Sequence, residues 1–316
     1  MSKARICRNK QVQHIRDERT LLSSLRHSNV LWLYGAFQDR DSVYLVTECI
    51  EGPDLWSVMY EPEDAGYGGG YLRDAPDDDL RHYCATIAEM LVHLHGRGIA
   101  YRDLKPENLM VAQSGYLKLV DFGFAKRLPY YTTATDDGRK ALSHEDASDG
   151  DGDRNAHFKT YTICGTAEYI SPEIINGSGH DWSADVWAAG CLFHELMAGL
   201  TPFVDYAGES DQALIFKRAV TSQYKPFMPP FALAKRRHAA ALVNHMLKYD
   251  PTDRCVAAQI VSHAYFATVD WPALRGQSGA VAWKPPPRGR DFYRDKLCAR
   301  PADLFNGPAD LFDCFN

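Results

Sequence analysis

Tyr101-Arg102-Asp103-Leu104-Lys105-Pro106-Glu107-Asn108, followed by Asp121-Phe122-Gly123, is the stretch that decides the reading of this 316-residue chain. Asp103 and Asn108, five residues apart, suit one loop that presents an acceptor hydroxyl and a metal ion together. Lys105 between them can neutralise a transferring phosphoryl group, and Asp121 ahead of a Phe-Gly pair can clamp metal on phosphates. An acidic loop with an accidental likeness is a poor explanation for so many residue types at fixed spacings.

Outward from this stretch the pattern changes character. On the N-terminal side, Val12, Ile15, Leu22 and Leu25 lie on one face of a charged segment and predict a helix over 8–27. Two β-rich runs, 30–37 and 43–50, are joined by Gln38-Asp39-Arg40-Asp41 and predict an antiparallel hairpin. From Asp79 the period becomes helical: Leu80, Tyr83, Ile87, Met90, Leu91 and Leu94 share a face, and Gly96 is a stop signal. Residues 116–120 predict a short strand feeding Asp121. A buried helix is predicted over 181–200, with Ser183 as cap and Gly199 as stop, and further helices near 211–221, 236–248 and 255–263.

Two stretches read as insertions. Residues 61–71 are glycine-rich, but they lie between a strand and a helix without phosphate-loop spacing, so a surface insertion is expected. Residues 132–157 are polar and acidic, and their Asp-Gly alternation lacks the twelfth-position Glu of a calcium loop, so disorder is expected.

Composition narrows the class. The chain is 45% hydrophobic and 24% charged, with a net charge of -6, which gives no whole-molecule drive toward nucleic acid or anionic membrane. Eight cysteines occur without any Cys-x-x-Cys pair, against a zinc site or disulfide framework and in favour of a reducing compartment. No apolar run is long enough to span a bilayer and the N-terminus has no apolar leader, so the expected location is cytoplasm or nucleus.

The constellation resembles the catalytic loop and DFG segment of eukaryotic protein kinases, over about residues 3 to 274. It is most similar to the AGC group, and within it to the cyclic-nucleotide-dependent kinases. Tyr101 in place of the usual His, the run Asp121-Phe122-Gly123-Phe124-Ala125-Lys126-Arg127, and Thr162-Ile163-Cys164-Gly165-Thr166 before Glu168-Tyr169-Ile170-Ser171-Pro172-Glu173 carry that likeness. Ala167 and Ser171 depart from the usual Pro and Ala in the substrate-facing segment. The resemblance implies an α+β, bilobal protein-kinase fold with a truncated small β lobe and a large, mainly helical lobe. Residues 1–50 would be the partial small lobe (a helix and two strands), 51–266 the large lobe, and 267–316 an AGC-like tail.

The same resemblance implies an ATP- and Mg²⁺-dependent serine/threonine kinase. Asp103 would orient or accept the substrate hydroxyl proton, Lys105 would meet the γ-phosphoryl, and Asn108 and Asp121 would hold Mg²⁺. Glu18, Glu48, Ile50, Glu107, Asn108, Met110 and Asp121 fall at the family's nucleotide positions. Thr162 falls at its activating phosphosite, with His14, Arg102 and Lys126 as phosphate partners and Thr160 as a weaker alternative. Asp54, Glu107 and Glu195 fall where such kinases receive arginines upstream of the target, and Thr166 lies in the substrate segment. Glu173 with Arg254, and Asp185 on the catalytic-loop backbone, are implied structural contacts. The implied partners are basic-flanked protein substrates and a regulatory subunit or upstream activating kinase, with no nucleic acid and no membrane span.

Against the family pattern, residues 1–316 hold no Gly-x-Gly-x-x-Gly-x-Val hairpin, and the strand Lys that would pair with Glu18 falls about two residues before Met1. Lys3 is a poor substitute. Two readings remain open: a shortened or misassigned version of a complete kinase, or a short form acting as a pseudokinase or scaffold. Intact Asp103, Lys105, Asn108 and Asp121 favour the first, while nucleotide affinity of these residues alone is expected to be poor. Toward the end, Trp271 and the Trp283-Lys284-Pro285-Pro286-Pro287 run resemble the AGC tail. Phe312-Asp313-Cys314-Phe315 suits either an adenine-site segment or a terminal dock requiring strands that these residues lack.

Overall fold

A computed structural model describes residues 1–61, 72, 75–128, 159–162, 165–204, 211–221, 236–279, 281, 283–286, 305 and 307–315. The expected insertion over 62–71 and the expected disorder over 132–157 lie outside the described residues, whereas Glu61 closes a short helix. The chain divides into two compact units. The first comprises Met1–Thr86, Pro106–Ala125 and Asp270–Asn316, and the second Ile87–Lys105 and Lys126–Val269.

In the first unit, the helix expected over 8–27 is found as α2, Val12–Ser24, and a short helix that was not expected, α1, Lys3–Arg8, precedes it. The break falls where Lys10 adopts φ 57°, a left-handed turn in which its N–H reaches the Cys7 carbonyl and the Gln11 N–H reaches that of Ile6. Strands β1, Leu33–Gln38, and β2, Val43–Thr47, form the expected antiparallel hairpin with Phe37 opposite Tyr44. The second strand ends earlier than 50: beyond Thr47 the Glu48 N–H still reaches the Trp32 carbonyl, but the Trp32 N–H is taken by the Glu48 side chain instead of its carbonyl. Helix α3, Leu55–Tyr60, follows, capped by Asp54. Helix α4, Asp77–His95, begins in this unit and ends in the second, just before Gly96.

A tight antiparallel pair, β4 (Leu109–Val111) with β5 (Leu117–Leu119), carries Asn108 and Asp121 near its open end. It is tied to the rest of the unit through Asn29, whose carbonyl accepts the Leu119 N–H at 2.8 Å and whose buried side chain donates to Leu117. Gly52 permits the close approach: a Cβ there would lie 1.8 Å from the Val111 carbonyl oxygen.

The C-terminal segment corrects the expectation that its dock needs further strands. Phe312 and Phe315 are fully buried in a cluster with Ile6 and Val43, flanked by Val12, Ile15, Ala36 and Leu45 from α1, α2 and the hairpin. Arg16 of α2 donates to the Leu311 carbonyl, and the Lys3 ammonium lies 5.5 Å from the Phe312 ring centre while donating to the Asp39 carbonyl. Lys3 is thus engaged away from Glu18.

The second unit is mainly helical. Short β3, Ile99–Ala100, pairs with β6, Lys126–Arg127. Helices α5, Pro172–Ile175, α6, Ser183–Ala198, and α7, Gln212–Val220, are followed by Arg237–Met246 and Ala257–Val261. The observed ends are a residue or two inside those predicted, as last-turn fraying gives. Helix α6 is buried on nearly every side and stops at Gly199, φ 77°. Its N-terminus is served by Asp181, which accepts the Ser183 N–H at 2.7 Å, and not by the Ser183 side chain. The expected Glu173–Arg254 pair is bidentate, at 2.8 and 3.1 Å, and Arg254 also donates to the Ser183 carbonyl. Those extra bonds offset the desolvation of two buried charges.

Truncating Phe312 to Ala should lower the unfolding free energy by about 3–5 kcal/mol in a urea titration, the cost of a cavity at a fully buried aromatic. A change within about 0.5 kcal/mol of wild type, the range of unremarkable surface substitutions, would show that the tail does not contribute to the fold.

Candidate active site

In the second unit the loop after β3 is held from beneath. The buried Asp185 carboxylate accepts the Tyr101 N–H at 2.8 Å, the Arg102 N–H at 2.7 Å and a bond from His95 Nε2 at 2.9 Å. Those contacts fix Arg102 in a left-handed conformation, φ 70°, which costs a non-glycine residue energy and turns the chain sharply before Asp103. Sequence reasoning missed His95. Six positions before Tyr101 and at the end of a helix, it has no motif of its own, and only the fold brings it to Asp185.

Asp103 emerges nearly buried from that turn. Lys105 Nζ lies 3.0 Å from one of its carboxylate oxygens and 2.9 Å from Thr166 Oγ1, so these three predicted residues converge. A small cavity beside them is lined by Asp103, Gly165, Thr166, Tyr169 and Asp185. A carboxylate held by a lysine beside such a cavity can accept a proton or orient a hydroxyl. Glu195 is buried and accepts a hydrogen bond from the Tyr169 hydroxyl.

Of the residues implied as phosphate partners, Lys126 and Arg102 come together at Thr160. Lys126 Nζ lies 3.1 Å and Arg102 Nη1 3.5 Å from Thr160 Oγ1. Thr160 is 2% exposed, whereas Thr162 is on the surface.

In the first unit, the Asn108 carbonyl accepts the Val120 N–H at 3.0 Å, which places Asn108 against the residue preceding Asp121 at the open end of β4–β5. Asp121 has φ 54° and accepts the Gly123 N–H at 3.1 Å, while Phe122 is fully buried. Glu18 of α2 faces this segment, accepting the Phe122 N–H. Burial, with the Asp121 carboxylate adding to it, pushes its carboxyl up to about 7. His14, on the same helix, packs edge-on against the Phe124 ring at 6.2 Å.

The remaining positions that the sequence implies for nucleotide and substrate also lie in this unit. Glu48 forms a 2.7 Å pair with Lys118 and accepts the Trp32 N–H, and Ile50 is half-buried just beyond it. Met110 in β4 bridges through its backbone to Asp54, whose carboxylate caps α3 by accepting the Ser57 N–H at 2.8 Å. Glu107 is exposed in the turn Pro106–Asn108. Asn108 and Asp121 are hard oxygen donors on one hairpin, a set that suits Mg²⁺ completed by phosphate oxygens and water. Among the described residues no group of three or more His, Cys, Asp and Glu side chains gathers that could hold a metal ion.

The raised Glu18 carboxyl has a stability consequence. The folded chain keeps its proton to about 7, whereas the unfolded chain releases it near 4.5, so stability falls as pH rises between those values and is level above them. Glu18→Gln should therefore be more stable than wild type at pH 8, by on the order of 3 kcal/mol, and show no gain at pH 4. Thermal melts across that range check it; equal pH dependence in both proteins would contradict the burial of Glu18.

Residues 1–266 match the protein kinase domain family model. A cAMP-dependent protein kinase catalytic subunit of Arthrobotrys oligospora is 30% identical over 296 residues, 92% of this chain and 48% of the relative. A cGMP-dependent protein kinase, egl-4, of Caenorhabditis briggsae is 35% identical, over 90% of this chain and 33% of its own length. Ribosomal protein S6 kinase alpha-2 of Mus musculus is 32% identical, over 85% and 31%. The chain thus spans from about a third to about half of the length of these relatives, all of the AGC group. With its catalytic-loop, DFG and Glu173–Arg254 features in the places described, the chain belongs to the protein kinase domain family.

Proposed function

We propose that this chain is a serine/threonine protein kinase that transfers the γ-phosphoryl group of ATP to Ser or Thr in arginine-rich contexts. The observation that supports it most is the convergence of Asp103, Lys105 and Thr166 on a loop that Asp185 holds rigid. Asp103 orients the acceptor hydroxyl and takes its proton as the substrate oxygen bonds to the γ-phosphorus. The bond to the bridging oxygen breaks, and ADP leaves with that electron pair. Lys105, shared between Asp103 and Thr166, is positioned to balance charge on the transferring group. Asn108 and Asp121 would hold Mg²⁺, which would offset the charge of the phosphates. Glu48 and Ile50 would take the adenine edge, and Met110 would lie under the base.

Glu107, Glu195 and Asp54 support an arginine preference, since guanidinium pairs bidentately with carboxylates. Asp54 also caps α3, so an arginine there would share a carboxylate already accepting two bonds from Ser57. Thr162, exposed and two residues beyond the Lys126–Arg102 pair's contact at Thr160, is the activating phosphosite, with an upstream kinase or regulatory subunit as partner. Among the described residues no helix is long and apolar enough to cross a membrane.

One observation favours a second reading. Glu18 faces Asp121 and the Phe122 N–H, with its carboxyl raised to about 7. A carboxyl near a like charge does not organise nucleotide phosphates as a lysine-paired one does. On these residues alone transfer would be impaired, and a scaffold or pseudokinase that binds basic peptides without catalysis becomes the alternative.

The test is transfer of labelled γ-phosphate from Mg-ATP to an Arg-rich Ser peptide. It compares this chain with a graft carrying a relative's glycine-rich hairpin and strand lysine ahead of Met1. Labelling should be slow for the chain and faster for the graft. It should fall about tenfold or more when the peptide arginines become Ala, which is the loss of roughly 1.4 kcal/mol of pairing. Asp103→Asn should cut it at least about 100-fold. Peptide binding without labelling by either form would leave the scaffold reading.

A further inference from the structure

We propose that His180 is a further ligand of the phosphate carried by Thr162, completing an anion site with Lys126, Arg102 and the Thr160 hydroxyl. This rests on the reading of Thr162 as the phosphosite and adds to it a residue outside the activation segment.

The placement comes from the backbone. Thr160 and His180 exchange both hydrogen bonds, the Thr160 N–H to the His180 carbonyl at 2.8 Å and the His180 N–H to the Thr160 carbonyl at 2.9 Å. Residues paired in this way in antiparallel strands project side chains to the same face, with Cβ atoms about 5.5 Å apart. The imidazole therefore stands beside the hydroxyl that Lys126 and Arg102 already contact. Thr162, two residues further along and on the surface, lies within chain reach of that group.

The chemistry of the ring points the same way. His180 is 2% exposed, and its Nε2 is buried without a hydrogen-bond partner. An orphaned buried polar atom costs about 1–3 kcal/mol, which an arriving acceptor would relieve. Burial, and after it the Arg102 charge, hold the imidazole down to about 4, while Asp185, Glu173 and Asp181 pull the other way. The ring is consequently neutral at pH 7, and its Nε2–H tautomer can donate without taking up a proton. A phosphothreonine brings three acceptor oxygens and close to two negative charges. Lys126 and Arg102 can meet two of those oxygens, and His180 Nε2 is an unused donor for the third.

The experiment installs phosphothreonine at 162 in the full chain by genetic-code expansion and follows the second phosphate ionisation, ordinarily about 6, by ³¹P NMR. In the wild-type chain it should lie below the ordinary value. His180→Phe should raise it by about 0.5 unit, roughly a threefold change in proton affinity, and His180→Gln, which keeps a side-chain N–H, should restore most of that. Arg102→Ala with Lys126→Ala should raise it further. A His180→Phe value equal to wild type, alongside a shift in the double variant, overturns the role of His180 and leaves the phosphosite reading standing. No shift in any variant removes both. Should His180→Phe fail to fold, the His180 Nε2 ¹⁵N shift of the wild-type chain decides: it should move on phosphorylation, and an unchanged shift overturns the proposal.

Discussion

Much of the site depends on one buried carboxylate. Asp185, at the start of α6, accepts two consecutive backbone N–H groups and a histidine ring nitrogen. A buried carboxylate is tolerated only when its oxygens are met in this way. In return it holds the Tyr101–Arg102 backbone, including a left-handed arginine, in a conformation that an unrestrained loop would leave. Asp103 and Lys105 inherit their positions from that restraint. Helix α6 can serve as the anchor because it is itself buried and because Arg254 locks its first turn to Glu173.

Asn108 and Asp121 are brought together by a hairpin of three residues per strand. Pairing Leu109 with Leu119 places Asn108 and Val120 side by side, and Asp121, at φ 54°, then brings its carboxylate onto the Gly123 N–H. Phe122, next in the chain, is fully buried. Glu18 sits against the same backbone as a carboxyl that prefers its proton.

Much of this was legible in the sequence because the site is local: Asp103 to Asn108 and Asp121 to Gly123 are short runs whose spacing carries their chemistry. The hairpin, the central helix and its Gly199 stop were equally readable from period and breakers. What could not be read was long-range. His95 meets Asp185 across 90 residues, and nothing near His95 announces it. His180 reaches Thr160 through a single isolated bridge. The C-terminal Phe312 and Phe315 find a pocket made by α1, α2 and the hairpin, which only packing assembles. The short α1 and the turn at Lys10 escaped because the apolar period is read only from Val12 onward, and a left-handed lysine has no sequence signature.

The central claim is that Asp185 holds the loop that presents Asp103. The most direct measurement is amide hydrogen exchange at Tyr101 and Arg102 in Asp185→Asn beside wild type. An Asn amide oxygen keeps one acceptor but loses the charge that strengthens both bonds, so the two amides should exchange at least about tenfold faster, a loss of roughly 1.4 kcal/mol, while the α6 amides keep their protection. Unchanged exchange at both amides would contradict the account, for the loop would then be held by something other than Asp185.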